Sequence, residues 1–171
     1  MTDKKRIFFV FGNMGKSFPG LVSIINCLPP YYEITAQIGY HDAIKYPLYN
    51  VKNVFDFLSN EDYLRVLKES DIVAGHAGVG FISDCLRHGK MPAVMARLSR
   101  YGEHNNDHQT DFVSRYKHDN IFAVLTRELD SKKVVAILED VSGAKPHRSY
   151  ITDLSKIKKK IINDINSFLK K

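Results

Sequence analysis

Short apolar runs alternate with helical patterns along most of the chain, and this alternation limits the fold more than any other sequence feature. No Asn-Gly type hairpin signal separates two of the runs. The pattern therefore predicts an α/β fold with a Rossmann-like parallel sheet of about six strands and helices on both faces. The predicted strands are Arg6 to Phe11, Tyr32 to Ile38, Val51 to Leu58, Asp71 to Gly75, Pro92 to Ala96 and Ile121 to Leu125.

Amphipathic segments with recognisable start and stop signals lie between the strands. The predicted helices are Pro19 to Leu28, Ser59 to Glu69, Val79 to His88, Asp107 to Tyr116 and Ser131 to Val141. In parallel sheets of this kind, ligands bind at the carboxyl ends of the strands. The loops after Phe11, Ile38, Gly75 and Ala96 are therefore the candidate site.

The chain has 171 residues, enough for one domain with its own core, which we place at residues 1–150. No apolar run is long enough to span a membrane, and the five apolar residues after Arg6 predict a strand rather than a signal peptide. Cys27 and Cys85 lie among apolar residues without a Cys-x-x-Cys spacing. Reduced, buried thiols suit a cytoplasmic protein.

The first loop, Gly12 to Ser17, contains Gly-Lys-Ser, as phosphate-binding P-loops do. A P-loop also needs a glycine five positions before Gly15, and Val10 occupies that position, so we reject this assignment. The loop still leads into a helix N-terminus, whose N–H groups could hold a phosphate. The alternative is an ordinary turn between a strand and a helix.

The loop after the fourth strand, His76 to Gly80, opens the third helix with the sequence His-Ala-Gly-Val-Gly. Glycines let a ligand approach the backbone, and the helix dipole favours an anion there. The third glycine of a dinucleotide fingerprint is missing, so that motif is not assigned. Asp84 lies one turn inside this helix and could accept hydrogen bonds from a ribose, or it is a solvated surface acid.

The segment Arg97 to Gln109 has the densest polar cluster of the chain and directly follows a predicted strand. His104 and His108 lie four positions apart beside acids, but two histidines do not complete a metal site. The mixed donors and acceptors of the segment suit sugar hydroxyls better. No Ser-His-Asp or Cys-His pattern for nucleophilic catalysis is present. We interpret the remaining loop histidines as exposed, namely His41, His118 and His147.

Two of these segments resemble glycosyltransferase family 28. Asp71 to Gly80 is similar to the Asp-Ile-Val-Ile-x-His-Ala-Gly-x-Gly segment of that family. Arg97 to Gln109 is similar to a signature of the small bacterial subunits of two-component capsular and exopolysaccharide glycosyltransferases. The chain also resembles the small subunit of the eukaryotic dolichol-linked N-acetylglucosaminyltransferase and the C-terminal half of the enzyme that completes peptidoglycan lipid II.

The resemblance implies the C-terminal half of a GT-B glycosyltransferase that binds a UDP-sugar as substrate, without a cofactor or a metal. It implies inverting transfer to a lipid-diphosphate-linked acceptor. The residues it assigns to nucleotide binding are Gly12, Asn13, His76, Ala77, Gly78, Gly80 and Asp84. The residues it assigns to the donor sugar are Glu103, His104, Asp107, His108 and Gln109.

A GT-B enzyme closes two domains around its substrates. The resemblance therefore implies a membrane-anchored partner subunit, which binds the lipid-linked sugar acceptor and supplies the general base. We name no catalytic residue in this chain, although His76 and His104 lie in the expected cleft. The chain is expected in the cytoplasm, peripheral at the inner face of the cell membrane through this partner.

The sequence departs from the family pattern in the second glycine loop and nearby. Phe81 replaces a small hydroxyl residue, and Asp84 replaces a glutamate. Asn13 stands where threonine is usual, and Met91 where proline is usual. These departures could mean an altered choice of donor or reduced activity, and those at Phe81 and Asp84 motivate the alternative of a non-catalytic enhancer or nucleotide-binding subunit of such a complex. A nucleotide-binding module unrelated to sugars is a third hypothesis, based on the fold alone.

The last segment, 151–171, predicts a basic amphipathic helix outside the main domain. Lysines surround an apolar stripe formed by Leu154, Ile157, Ile161, Ile165 and Phe168. This helix could dock onto a membrane-bound partner or an anionic bilayer surface, or it could pack against the sheet of the chain itself. Its lysines carry part of the net charge of +6, and no nucleic-acid partner is predicted.

Overall fold

The computed structural model describes residues 4–146, and these contain a fully parallel sheet in the order β3-β2-β1-β4-β5-β6. The strands are β1 (Arg6–Val10), β2 (Glu33–Gln37), β3 (Asn53–Phe55), β4 (Ile72–His76), β5 (Ala93–Met95) and β6 (Ala123–Val124). The predicted six-stranded parallel sheet is confirmed. The predicted basic helix at 151–171 lies outside the described residues, and the domain boundary before it stays a prediction.

All five predicted helices are present. They are α1 (Pro19–Asn26), α2 (Asn60–Glu69), α3 (Val79–Arg87), α4 (His108–Tyr116) and α5 (Ser131–Val141). The start of α2 follows from its sequence, because the Ser59 hydroxyl accepts a hydrogen bond from the backbone N–H of Asp62. A short 3-10 helix at Ser99–Tyr101, which the sequence analysis did not predict, lies in the loop before α4.

Strand β1 divides the core into two layers, because alternate residues of a strand face opposite sides of the sheet. Ile7 and Phe9 are fully buried on the side covered by α1 and α5. Phe8 and Val10 are buried on the other side, which α2, α3 and α4 cover. The sheet is therefore covered on both faces, as a run of consecutive apolar residues predicts.

The two edge strands are shorter than predicted. Of the two predicted strands, only Asn53–Phe55 and Ala123–Val124 are paired in the sheet, with β2 and β5 respectively. The apolar residues around β6 serve the core instead, since Ile121, Phe122 and Leu125 are buried outside the paired stretch. The apolar pattern thus overestimated the length of these strands.

The order of the strands places one crevice at the centre of the sheet. After β1, the chain adds β2 and β3 on one side, and it then returns to add β4, β5 and β6 on the other side. The carboxyl ends of β1 and β4 are therefore neighbours from which the chain leaves in opposite directions. Parallel α/β sheets bind ligands at such a switch point.

A buried arginine ties together the loops at this end of the sheet. Arg97 follows β5 and is only 1% exposed. Its guanidinium donates hydrogen bonds of 2.8 to 3.2 Å to backbone carbonyl oxygens, those of Phe11, Lys16, Ser17 and Glu103. Burial lowers the pKa of Arg97 to about 10, and the Glu103 charge opposes that shift, so Arg97 is protonated at neutral pH.

We expect Arg97→Met to destabilise the fold by about 3 kcal/mol, because buried carbonyl groups would lose their donor. Urea unfolding of the purified chain measures this change. Arg65→Met on the exposed side of α2 is the matched control, because its surface ion pairs with Asp62 and Glu69 contribute little to stability. Equal losses in the two variants would contradict the role given to Arg97.

Candidate functional site

Three of the four candidate loops, those after β1, β4 and β5, meet at the switch point. Arg97 joins the loop after β5 to the loop after β1, and the Lys16 ammonium donates to the backbone carbonyl of His104 at 3.3 Å. The loop after β4 contacts the first loop, since a Cβ atom built on Gly12 would lie 2.8 Å from Nε2 of His76. The predicted convergence of these loops is confirmed.

The N-terminus of α1 is occupied by groups of the protein itself. The Phe18 N–H donates to Nδ1 of His41 at 3.2 Å, and the Gly20 N–H donates to Oε1 of Glu103 at 3.0 Å. The N–H groups of Leu21 and Val22 donate to the Phe18 carbonyl oxygen. Pro19 has no N–H, so the first turn of α1 offers no donor to a phosphate. The N–H groups of this first turn are therefore used within the protein, and the assignment of Gly12 and Asn13 to the nucleotide stays a prediction.

The N-terminus of α3 is open by comparison. Gly78 is its N-cap residue, and no described side chain makes a capping hydrogen bond there. The first turn contains no acid, and a Cβ atom built on Gly80 would meet nothing within 4 Å. Uncapped N–H groups together with the positive end of the helix dipole form an anion site. Of the two helices that start at the switch point, α3 alone keeps this property.

The His76 ring fills the space that the glycines around it leave. Cβ atoms built on Gly12 and Gly78 would collide with the ring, and the ring stacks on Phe81 with centroids 5.5 Å apart. Burial lowers the pKa of His76 to about 4, and the nearby charges of Arg97 and His104 add to this shift. His76 is therefore neutral at pH 7.

The packing explains the departure from the family pattern at Phe81. Its side chain is buried against the His76 ring, and a Cβ atom on Gly75 would lie 3.1 Å from the Phe81 ring. Phe81 thus points into the core rather than towards a ligand. Its bulk does not obstruct the α3 N-terminus.

Asp84 lies in the second turn of α3. Its carboxylate is 3.3 Å from Nη1 of Arg87, and its side chain is 36% exposed. Burial raises the pKa of Tyr63 on α2, and the charges of Cys85 and then Asp84 add to this shift. The assignment of Asp84 to a ribose stays a prediction.

Glu103 does not face the cleft. It is fully buried, and its carboxylate accepts from the N–H groups of Gly20 and Leu98 at 3.0 and 3.1 Å. The same carboxylate forms an ion pair with Arg127, which lies in the loop after β6. Both oxygens are therefore used within the protein. The prediction that Glu103 binds the donor sugar is wrong, and its role is to hold the loop after β5 against α1.

The other four residues assigned to the sugar lie at the start of α4 or just before it. Asp107 uses its carboxylate to accept from the N–H and hydroxyl of Ser99, at 2.8 and 2.9 Å. Gln109 accepts from the backbone N–H of Arg97 through Oε1, which leaves its amide N–H groups for a ligand. His104 and His108 are half-buried. Their contacts with a sugar stay predictions.

Sequence reasoning misplaced one histidine and missed one aromatic pair. His41 is 6% exposed rather than an exposed loop residue, because its ring joins the start of α1 to the carbonyl oxygen of Tyr46. Tyr40 and Phe57 are exposed and pack edge to face, with centroids 5.1 Å apart, beyond the carboxyl ends of β2 and β3. His118 is exposed as predicted, whereas His147 lies outside the described residues.

Two further properties bear on the class of site. Within residues 4–146, no group of three His, Cys, Asp or Glu side chains is placed to hold a metal ion. None of the helices in this part of the chain combines the length and apolar composition needed to cross a bilayer. The expectation of metal-independent donor binding stays a prediction.

The low pKa of His76 predicts acid sensitivity. Its ordinary pKa is 6.5, so between pH 6.5 and about 4 the unfolded chain binds a proton that the folded chain does not. The free energy of unfolding should therefore fall as pH decreases through this window, by up to about 3 kcal/mol from His76. Urea unfolding at pH 7.5 and 5.0 should show a smaller fall for His76→Asn than for the wild type, with exposed His118→Asn as the control. The same fall in all three proteins would contradict the assignment.

The fold is similar to several solved glycosyltransferases. It matches the calicheamicin glycosyltransferase CalG4 with a TM-score of 0.58 at 15% identity, over 84% of this chain and 35% of that chain. SnogD from Streptomyces nogalater matches with a TM-score of 0.55 at 18% identity, over 83% and 37% of the two chains. MurG from Acinetobacter baumannii matches with a TM-score of 0.55 at 15% identity, over 82% and 42%. The match thus spans 35% to 42% of each of these chains.

No curated protein matches the sequence at a significant level. The sequence model of the glycosyltransferase family 28 C-terminal domain matches residues 22–165, which is most of the chain. This range contains α3, the segment Arg97 to Gln109 and every strand after β1. The Rossmann-like sheet is that of the C-terminal half of GT-B glycosyltransferases. The chain therefore belongs to glycosyltransferase family 28 and contains its C-terminal domain.

Proposed function

We propose that this chain is the donor-binding subunit of an inverting UDP-sugar glycosyltransferase. It would act on a lipid-diphosphate-linked acceptor in polysaccharide biosynthesis, together with a membrane-anchored partner subunit. The observation that carries the proposal is the uncapped N-terminus of α3 at the β1/β4 switch point, in a chain of family 28. A diphosphate is the part of a UDP-sugar that such a helix terminus binds best.

In the proposed reaction, an acceptor hydroxyl oxygen attacks the anomeric carbon of the donor sugar. The bond from that carbon to the diphosphate oxygen breaks, and UDP leaves with the bonding electrons. The first N–H groups of α3 would stabilise the negative charge that develops on the diphosphate, because they are already oriented before the reaction. Lys16 in the neighbouring loop adds a positive charge on the same side.

The proton of the acceptor hydroxyl must go to a general base. We assign that base to the partner subunit and leave the catalytic residue of this chain unassigned. A partner that binds a lipid-linked sugar would also hold the chain at the inner face of the membrane.

The donor sugar would lie against the start of α4. Gln109 keeps its amide N–H groups available, and the half-buried rings of His104 and His108 add donors and acceptors. Asp107 would act mainly by holding the 3-10 helix through Ser99, because both of these bonds use its carboxylate. The sugar would therefore meet an amide and imidazole rings rather than free carboxylates.

One observation supports a second candidate function. The Asp84 carboxylate, expected to bind the ribose, is already paired with Arg87 on the same helix. If this pair persists with a nucleotide present, the chain would be a non-catalytic enhancer or nucleotide-binding subunit of the same complex. The two functions differ in whether the purified chain distinguishes a UDP-sugar from UDP.

The role of the α3 N-terminus predicts the effect of a negative charge placed there. Gly80→Asp should lower the affinity for UDP at least about tenfold through repulsion of the diphosphate. It should not destabilise the fold, because an acid in the first turn of a helix is favourable and the site has room. Isothermal titration with UDP and thermal unfolding measure the two effects.

Gly15→Asp is the matched control for this experiment. Gly15 lies in the loop after β1, and a Cβ atom there also meets nothing within 4 Å. Because the α1 N-terminus offers no donors, Gly15→Asp should affect UDP binding less than Gly80→Asp does. A larger loss in Gly15→Asp would place the phosphates at the first loop, and absence of UDP binding by the wild type at millimolar concentration would refute the proposed function.

The assignment of Asp84 to the ribose can be tested by a thermodynamic cycle, in which one change removes the carboxylate and the other removes the 2′-hydroxyl of the nucleotide. Asp84→Asn should weaken UDP binding about three- to tenfold, and it should have little effect on 2′-deoxy-UDP if the carboxylate bonds the ribose 2′-hydroxyl. Arg87→Ala, which frees the carboxylate, should retain UDP binding. Equal losses for the two nucleotides in Asp84→Asn would mean that Asp84 does not read this hydroxyl.

A further inference from the structure

The sheet edge formed by β3 carries most of the large apolar side chains that the described surface exposes. All of these side chains except those of Tyr31 and Tyr101 lie between residues 40 and 57, in the loop after β2 and in and just after β3. They are Tyr40, Ile44, Tyr49, Val54, Phe55 and Phe57. Single exposed apolar residues are normal on a protein surface, but their concentration in one place marks an interaction site.

The backbone of β3 has an unpaired side. β3 pairs with β2, and no other described strand lies beside it. The Ile38 N–H donates to the Phe55 carbonyl oxygen at 2.8 Å, so the backbone groups of Phe55 face β2. Because these groups alternate in direction along a strand, the N–H and carbonyl groups of Val54 point away from the sheet. Val54 is therefore the residue through which a further strand would pair with this edge.

A second copy of the chain would present the same strand to this edge. In an antiparallel pair on a two-fold axis, residues equally far from the axis lie opposite each other. With Val54 on the axis, its N–H donates to the Val54 carbonyl oxygen of the second copy, and the second copy returns the bond. This register uses the outward backbone groups of both chains.

The charges beside Val54 are complementary in the same register. Lys52 and Asp56 lie two positions before and after it, so Lys52 of each chain lies opposite Asp56 of the other. The exposed Asp56 carboxylate has no ion pair among the described residues. The Lys52 side chain pairs with Glu33 at 2.7 Å, but it is 61% exposed and has further N–H groups to donate. Opposite charges at facing positions stabilise strand pairing, and like charges destabilise it.

The exposed apolar side chains add to this pairing. In the same register Asn53 of each chain lies opposite Phe55 of the other, and Val51 lies opposite Phe57. β3 contains only three residues, so two backbone hydrogen bonds alone would give little affinity. Val54, Phe55 and Phe57 are 47%, 39% and 49% exposed, and removing their surface from water supplies a driving force.

From these observations we infer that the β3 edge is a self-association surface, through which two copies of the chain form a symmetric dimer with Val54 on the two-fold axis. A second copy is the favoured occupant because one register satisfies both the backbone groups and the charges. The inference goes beyond the proposed function and does not depend on it. β3 lies two strands away from β1, whereas nucleotide binding is assigned to α3 at the β1/β4 switch point.

Sedimentation velocity of the full chain between about 1 µM and 1 mM tests the dimer, since small interfaces dissociate in this range. The wild type should change from monomer to dimer as concentration rises. Lys52→Glu and Asp56→Lys should each raise the dissociation constant at least about tenfold, because each places two like-charged pairs across the axis. Lys132→Glu on the exposed side of α5 makes the same charge change away from this edge, and it should have no effect.

An equimolar mixture of the two single variants separates charge pairing from damage to the strand. In the mixed dimer, both acids of the Lys52→Glu chain face lysines of the Asp56→Lys chain. The mixture should therefore dimerise about as tightly as the wild type, although neither variant does so alone. A general destabilisation of β3 cannot produce this rescue, and thermal unfolding of each variant checks that it is folded.

Three results would overturn the inference. A wild type that stays monomeric throughout this range would leave the edge to residues 147–171, to a different protein or to a bilayer. A wild-type dimer that neither variant weakens would place the contact on another surface. A mixture that stays monomeric would mean that the two charges do not face each other. Titration of the same samples with UDP keeps these results separate from the proposed function, because none of the variants should change UDP binding.

Discussion

The buried guanidinium of Arg97 is the interaction on which the candidate site depends. A planar group with five donors can bond carbonyl groups from several directions, and a lysine ammonium cannot do so with the same geometry. The bonds of Arg97 reach from the end of β1 to the far side of the loop after β5. Segments more than eighty residues apart in sequence therefore share one fixed arrangement. The Phe18 ring, 4.4 Å from the guanidinium carbon, covers the remaining face.

The buried positive charges explain why Glu103 is taken into the interior. Arg127 pairs with its carboxylate, and the same carboxylate accepts from the Gly20 N–H. A carboxylate at a helix N-terminus is stabilised by the dipole just as a bound phosphate is. The protein thus supplies its own anion to α1 and leaves α3 without one. Of these two helix N-termini, only that of α3 is left for an external anion at the switch point.

The fold could be predicted because its signals are local. The apolar run of β1 and the Ser59 cap each lie within one stretch of sequence. Which polar residues face a ligand and which hold the loops together could not be predicted in this way. Glu103 and Gly20 are 83 positions apart, and a polar residue type does not reveal whether its partner is a ligand or the backbone. The same holds for Phe81, a bulky residue directly after the glycine loop, whose side chain is buried.

The partners of the acids and the pKa values of the histidines near the cleft indicate whether this chain could supply a general base. The three acids that the resemblance assigns to ligand binding are already used, since Glu103 is buried in an ion pair, Asp107 holds Ser99 and Asp84 pairs with a neighbour on α3. Burial, with nearby positive charges, lowers the pKa of both His76 and His104, which makes each imidazole a weaker base than usual. A site with fixed phosphate donors and weakened bases is suited to holding a leaving group. It complements a partner that activates the acceptor, and this pairing is what the proposed two-subunit enzyme requires.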